Sequence, residues 1–463
     1  MNIVVGFVLL LLIGAAASRL TLFQGRFSLG AQSLFTAGVE FLFIGLIAGP
    51  RAANVLSEEA LHQLSPVLSL GLGWIGLLIG LQFDRRDLLR IPAPIWLMGA
   101  TISFAAFGLL FILFLLSIPW LFQNAGLVIQ EADKKNLQQA TISLSFLLSW
   151  ISATSAYSAL ALLKRNIDAR GETFRLIQLL TEVRSPIAIA IVGLWYGIHH
   201  STMLQYPSME RWLTTNLPVL ASNGGSSVTP IAAIPVMGGV EWVMMTLLLG
   251  ALLGWMVHYL TNRRLAQNEL LLILTGAVIL SGGLSSHLHL SPLFVNMVMG
   301  TTLTNLPNFT RSRITKWMVS NEKPFFVVFM ILAGALWPPI TPLTLGITVV
   351  YCAGRTMGLW MGAWAASRWF YPHKSAIPKR LGLTMLPQGG VALALAVDFY
   401  LIYPGALADL ALGVVILAVI VQQVLGPSVA MSVLRASGNA EKSRRGHWRY
   451  ETSLPPPAEE SPE

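Results

Sequence analysis

The chain of 463 residues is 54% hydrophobic and only 11% charged, against about 45–50% and about 25% in ordinary globular domains. With a mean hydropathy of +0.66, that balance excludes an ordinary soluble protein. It fits a polytopic membrane protein, where Gly and Pro are tolerated because neighbouring helices re-satisfy the backbone. The single cysteine, Cys352, excludes an intrachain disulfide and a cysteine-based metal cluster, and the net charge of +9 reads as basic cytoplasmic loops, with no need of a nucleic-acid partner.

A span needs about 20 apolar residues at helical rise. Stretches of that kind run over 3–19, 33–50, 66–83, 93–120, 140–163, 176–198, 241–260, 268–286, 291–306, 324–338, 341–367, 381–401 and 407–434. The expected fold class is therefore an all-α polytopic membrane protein with about thirteen transmembrane helices. The first span does not read as a cleavable signal peptide, since no Lys or Arg precedes it and Arg19 and Arg26 follow it.

The basic residues support this count. With the amino terminus outside, the inner segments carry 24 of the 30 Lys and Arg residues, as short cytoplasmic loops should. Arg51, Lys134, Lys135 and Arg211 fall outside, and Arg184 and Arg355 lie within spans. The segment 199–240 reads as an exposed or interfacial connector between two halves. Residues 438–463, with the run Pro455-Pro456-Pro457 followed by acids, read as a disordered cytoplasmic tail.

Two spans are interrupted at mid-length by small or polar residues, where an unwound backbone is tolerated only if it is buried in protein or lines a cavity. The fifth holds Ser152-Ala153-Thr154-Ser155, whose hydroxyls suit an unwound turn. The twelfth holds Pro387-Gln388-Gly389-Gly390, in which Pro387 removes a backbone donor and the glycines remove side-chain restraint. Hydroxyls in a membrane helix are also common packing contacts; the Pro-Gln-Gly-Gly cluster is harder to read that way. Paired discontinuous helices at corresponding positions of two halves point to the binding site of a transporter built from inverted repeats.

At these residues the chain resembles the monovalent cation:proton antiporter family, the group of sodium/proton exchangers and related potassium-efflux membrane domains. The resemblance covers nearly all of 1–437. It is carried by Leu70 to Phe83, by Lys323 to Ala335, by Leu386-Pro387-Gln388-Gly389-Gly390-Val391-Ala392-Leu393 and by Leu425-Gly426-Pro427. It implies core helices within 93–198 and 341–434 that shift across the bilayer, scaffold helices within 1–90 and 268–338, a linker helix at 241–260, and a homodimer. It also implies that the fifth and twelfth helices cross at the ion site.

The sequence departs from that family where the family places one or two acids in the sixth helix. Arg184 and Ser185 stand there. Glu182 lies three residues before Ser185 and so on nearly the same helix face; it reads either as a relocated exchanging carboxylate or as the neutraliser of a nearby arginine. Arg184 cannot itself exchange protons, because arginine hardly deprotonates. Arg355 matches a basic residue that some family members pair with the site acid, and it is expected to face Glu182. The remaining oxygen donors at the crossing are expected to be Thr154, Ser155, Gln388, Gly389 and Gly390. Glu40 falls in a helix that the resemblance assigns to the dimer scaffold, and Asp398 and Glu241 lie near outer ends of their spans.

No phosphate loop, convincing Ser-His-Asp set or intrahelical metal-ligand pair competes, so no catalytic residue, cofactor or resident metal is expected. The expected function is secondary transport, not enzymatic: antiport of Na⁺ or K⁺ against protons by an elevator-like movement, in a multi-pass protein of a prokaryotic inner membrane with its amino end out and its carboxyl end in. The alternatives are an anion or zwitterion carrier on the same fold, suited to two arginines near half-helix amino ends, and a non-transporting scaffold or sensor with a degenerate site.

Overall fold

The computed structural model describes residues 33–34, 37–124, 134–156, 160–164, 172–204, 237–261, 267–307, 311–370, 378 and 380–436. The expected first span, the serine-rich part of the connector and the tail lie outside them. The elements are α1 (Val39–Ala48), α2 (Glu58–Gln63), α3 (Ser65–Gly80), α4 (Arg85–Leu88), α5 (Ala93–Asn124), α6 (Lys134–Ser152), α7 (Glu172–Leu204), α8 (Gly239–Thr261), α9 (Gln267–His287) and α10 (Pro292–Asn305). They continue as α11 (Arg311–Ser320), α12 (Glu322–Ala335), α13 (Pro342–Phe370), a 3₁₀ turn (Leu381–Met385), α14 (Gly390–Ile402) and α15 (Ala406–Ala436). Residues 160–164 are also helical.

Among the described residues, 93–124, 173–200, 239–261, 269–287 and 406–436 are each long and apolar enough to cross a membrane by themselves. Two of them and α13 carry large apolar side chains on their outer faces: Ile112, Leu116 and Trp120 on α5; Leu248, Leu252 and Trp255 on α8; and Val349, Trp360 and Trp364 on α13 are all exposed. An apolar surface repeated over several helices requires a lipid solvent, and the chain is a multi-pass integral membrane protein.

Hydrophobic burial does not drive helix association inside lipid, so close backbone approach must. The sequence provides it with glycines four residues apart. Gly76 and Gly80 on α3 meet the carbonyls of Leu293 and Met297 on α10, where an added Cβ would sit 2.2 Å from either oxygen. Gly354, Gly358 and Gly362 on α13 oppose Leu110, Ala106 and Ile102 on α5 in antiparallel order. Likewise α1 and α12 close on Gly45 and Gly334.

At Gly358 a Cβ would come within 2.7 Å of the Ala106 Cα, a backbone atom that cannot step aside alone. Gly358→Val should therefore cost about 1–3 kcal/mol through overpacking. A thermal-unfolding midpoint in detergent equal to that of the native protein would contradict this packing.

Two helices stop in mid-protein. After α6 the backbone leaves helical geometry over Ala153–Ala156, and the 3₁₀ turn ends at Met385, with four residues between it and the start of α14 at Gly390. The latter break holds Pro387, which supplies no N–H to continue a helix. It is also packed: Gly426 of α15 lies against the Pro387 ring, with space for no Cβ.

Candidate functional site

The two breaks bind each other. The Ala156 N–H donates to the Pro387 carbonyl at 2.9 Å, and the Ser155 hydroxyl donates to the Met385 carbonyl at 3.2 Å. The Gln388 amide donates to the Ile151 carbonyl at 2.9 Å and to the Tyr351 hydroxyl at 2.7 Å, with Thr154 Oγ1 at 3.4 Å. Unwound carbonyls buried among apolar helices would each be costly; here each break answers part of the other's deficit.

Arg355 answers the rest. It is fully buried on α13, and all five of its N–H donors are used. Nε donates to the Ser152 carbonyl at 2.8 Å, and Nη2 donates to the carbonyls of Thr154 at 2.7 Å and Met385 at 3.2 Å. Nη1 donates to the Leu386 carbonyl and to Gln422 Oε1. The carbonyl ends of α6 and of the 3₁₀ turn therefore converge on one guanidinium. Each helix end carries a fraction of a negative charge, so Arg355 is neutralised by backbone and needs no carboxylate.

Arg184, also fully buried, approaches from α7. Its Nε donates to Ser103 Oγ at 3.2 Å, and its Nη1 reaches Ser155 Oγ at 3.0 Å and Met385 Sδ at 3.1 Å. Its Nη2 has no hydrogen-bond partner. Ser185 completes the corner: its Oγ accepts from the Ser155 N–H at 3.5 Å and lies 3.4 Å from the Ser155 carbonyl.

The structure thus brings together Thr154, Ser155, Arg184, Arg355 and Gln388, with Pro387, Gly389 and Gly390 in the same break. Gly390 starts α14 beneath the Phe326 ring, which a Cβ would meet at 2.5 Å. Glu182 stands apart and corrects the expectation placed on it. It is exposed, and its carboxylate accepts from Gln178 Nε2 at 3.1 Å, one turn back on α7. The helix turns about 100° per residue, so burying Arg184 directs Glu182 elsewhere. Arg355 accordingly faces backbone carbonyls and Gln422, and not Glu182.

The side-chain and backbone oxygens of the crossing are largely engaged within the protein. The Thr154 carbonyl is taken by Arg355, the Thr154 hydroxyl donates to the Ile151 carbonyl at 2.8 Å, and Ser155 Oγ accepts from Arg184. Only Gln388 Oε1 is left without a partner. Chemically the crossing is a cationic, hydrogen-bond-donating site. Sequence reading missed Ser103, Tyr351 and Gln422 there. Tyr351 lies one helical turn before Arg355, and the Gln422-Gln423 pair in an otherwise apolar span was a legible signal.

Glu40 sits in the first turn of α1, which packs on α12, and its Oε2 is buried without a hydrogen-bond partner; Gly38, two residues earlier, meets the same Phe326 ring that covers Gly390. Glu241 caps its own helix, accepting from the Gly238 N–H at 2.9 Å. Among the described residues no cluster of three His, Cys, Asp or Glu side chains suited to a metal ion occurs.

Among solved structures, the fold is similar to that of the sodium proton antiporter MjNhaP1 from Methanocaldococcus jannaschii at pH 8. The TM-score is 0.56 and the identity 14%, with 92% of this chain and 97% of that chain covered. The chain has a sodium/proton-exchanger-like fold. No family model matches the sequence, and no curated protein does.

Proposed function

We propose that the protein is a secondary transporter that exchanges a monovalent cation, Na⁺ or K⁺, for protons across a membrane. The observation that carries this reading is the meeting of two interrupted helices within an antiporter-like fold that spans nearly the whole of both chains. Discontinuous helices whose ends face each other at mid-protein are how secondary transporters of this kind build a site that either side can reach. On this reading the helices within 93–198 and 341–434 move as an elevator against a scaffold formed by 1–90 and 268–338, with 241–260 as the linker. The protein works as a homodimer in a prokaryotic inner membrane, amino end out and carboxyl tail in.

The test is proton flux in proteoliposomes holding the purified protein, with a pH dye inside and pulses of Na⁺, K⁺ or Li⁺ outside. Cation-triggered exchange is the expected result, and silence with every cation would sink the reading. Glu182→Gln, which alters an exposed carboxylate bonded to Gln178, should keep that exchange. Its loss in this variant would restore Glu182 as the exchanging group.

A second reading is favoured by one specific observation. Two buried guanidiniums occupy the crossing, one with an open donor, and no carboxylate of the described residues bonds to either. That donor set suits an anion or a zwitterion. A carboxylate or phosphate gradient that drives proton movement without any monovalent cation would select it over cation exchange.

A further inference from the structure

An antiporter of cations needs a group that binds either a cation or a proton, and the crossing offers none. Among the described residues only two acids are buried, Asp398 at 0% exposure and Asp409 at 4%. Asp409 lies in the field of Arg51. Asp398 has no such partner: among the described residues no Lys, Arg or His hydrogen-bonds to it or forms an ion pair with it. A carboxylate inside a membrane protein without a counter-charge is costly to keep and is by default a functional candidate.

Its surroundings are those of a ligand site. Asp398 lies on α14, eight residues beyond the break, or about 12 Å along the helix axis. Its Oδ2 accepts from the Ser291 hydroxyl at 2.6 Å and its Oδ1 from the Leu293 N–H at 3.3 Å. Ser291 is the N-cap of α10, accepting in turn from the Phe294 N–H at 2.9 Å. The carboxyl thus spans from α14 to the positive end of a 14-residue helix, held by dipoles alone.

Around the neighbouring Phe399 two phenols are unsatisfied. Tyr196 of α7 is 3% exposed, and its hydroxyl has no hydrogen-bond partner; the same holds for the hydroxyl of Tyr403. Their rings are ordered around the next residue: Tyr196 stacks on Phe399 at 6.2 Å, Tyr403 lies 5.6 Å from Phe399, and the two tyrosines meet edge to face at 5.9 Å. Hydroxyl oxygens and a carboxylate without a counter-charge are hard ligands, the kind that suit a monovalent cation and offer nothing to a soft one.

Resting on the antiport reading, we propose that Asp398, with the hydroxyls of Tyr196 and Tyr403, forms the site at which a monovalent cation and a proton compete. The site lies between α14, α7 and α10, away from the arginine-lined crossing. The exchange balances on one carboxyl: the O–H bond breaks, the proton leaves to water, and the freed carboxylate takes one cation. On the reading in which α7 and α14 belong to the moving helices and α10 to the scaffold, the bond to Ser291 and Leu293 spans the sliding boundary. The other titratable groups nearby are His289, two residues before Ser291, His287 just before it in the chain, and His200, whose Nε2 lies 3.0 Å from the Leu288 carbonyl.

The experiment reads binding apart from transport. The unfolding midpoint of the full-length protein in detergent is followed against Na⁺, K⁺ and Li⁺ chloride at constant ionic strength, balanced with N-methylglucamine chloride, between pH 6 and 9. The native protein should show a saturable rise with at least one cation, with half-saturation moving about tenfold per pH unit in the competitive range. Asp398→Asn keeps the shape and an acceptor for Ser291, and should abolish the rise. Tyr196→Phe removes one ligand oxygen only and should raise half-saturation roughly tenfold.

No saturable rise in the native protein, or a rise that survives in Asp398→Asn, overturns the assignment. The same variants in proteoliposomes separate the two levels. Exchange in the native protein that persists in Asp398→Asn defeats the site and leaves antiport standing. Silent liposomes combined with Asp398-dependent binding defeat antiport and leave the site standing.

Discussion

Arg355→Leu should be among the most damaging single substitutions in this protein. It would leave the carbonyls of Ser152, Thr154 and Leu386 and the Gln422 oxygen without the donors that now serve them, and the Met385 carbonyl with the Ser155 hydroxyl alone. Each orphaned buried acceptor costs about 1–3 kcal/mol, and water cannot easily reach them in a closed bundle. Allowing for partial relaxation, the expected loss is about 3–5 kcal/mol, measured as a fall in the thermal-unfolding midpoint in detergent. Arg355→Lys should recover only part of it, because an ammonium keeps the charge but cannot present five donors in a planar fork. Equal midpoints for Lys and native protein would show that charge alone holds the two helix ends together.

The neighbouring arginine should behave in the opposite way. Arg184 has the same burial as Arg355, but its contacts are two hydroxyls and a thioether, and one nitrogen has nothing to bond. Removing it takes away a buried charge that no carboxylate of the described residues offsets, and the hydroxyls of Ser103 and Ser155 retain other options as rotors. Replacing buried ions by apolar side chains is often neutral or stabilising by about 1–4 kcal/mol. Arg184→Leu is therefore expected to leave the unfolding midpoint unchanged or raise it. A fall as deep as that of Arg355→Leu would mean that Arg184 is a structural strut like its neighbour. Side by side, the pair separates a guanidinium that holds the fold from one kept for what it binds.

The contrast explains why Glu182 is a reasonable reading of the sequence and yet stands away from both arginines in the structure. A membrane arginine prompts a search for a carboxylate partner, and Glu182 lies two residues from Arg184. What neutralises Arg355 is instead the set of carbonyls left over where α6 and the 3₁₀ turn end. Backbone acceptors are present at every position and become visible as partners only once the chain has bent.

Much of the architecture was legible directly. Apolar runs at spanning length marked the helices, since a backbone in lipid has almost no other choice. Pro387 and the glycines after it marked the second break, and the polar run Ser152 to Ser155 marked the first, because donor loss and self-bonding hydroxyls are local chemistry. The glycines at 76 and 80, and at 354, 358 and 362, already carry the spacing that lets helices touch. Tertiary structure alone decided which faces meet: that Glu182 turns outward while Arg184 turns inward, that Arg355 closes two helix ends at once, and that Asp398, placed by sequence near the end of its span, lies buried at the amino end of α10. Periodicity and composition act along one segment, whereas the surroundings of a charge are set by segments as much as about 200 residues apart, as with Arg184 and Met385, that only packing brings together.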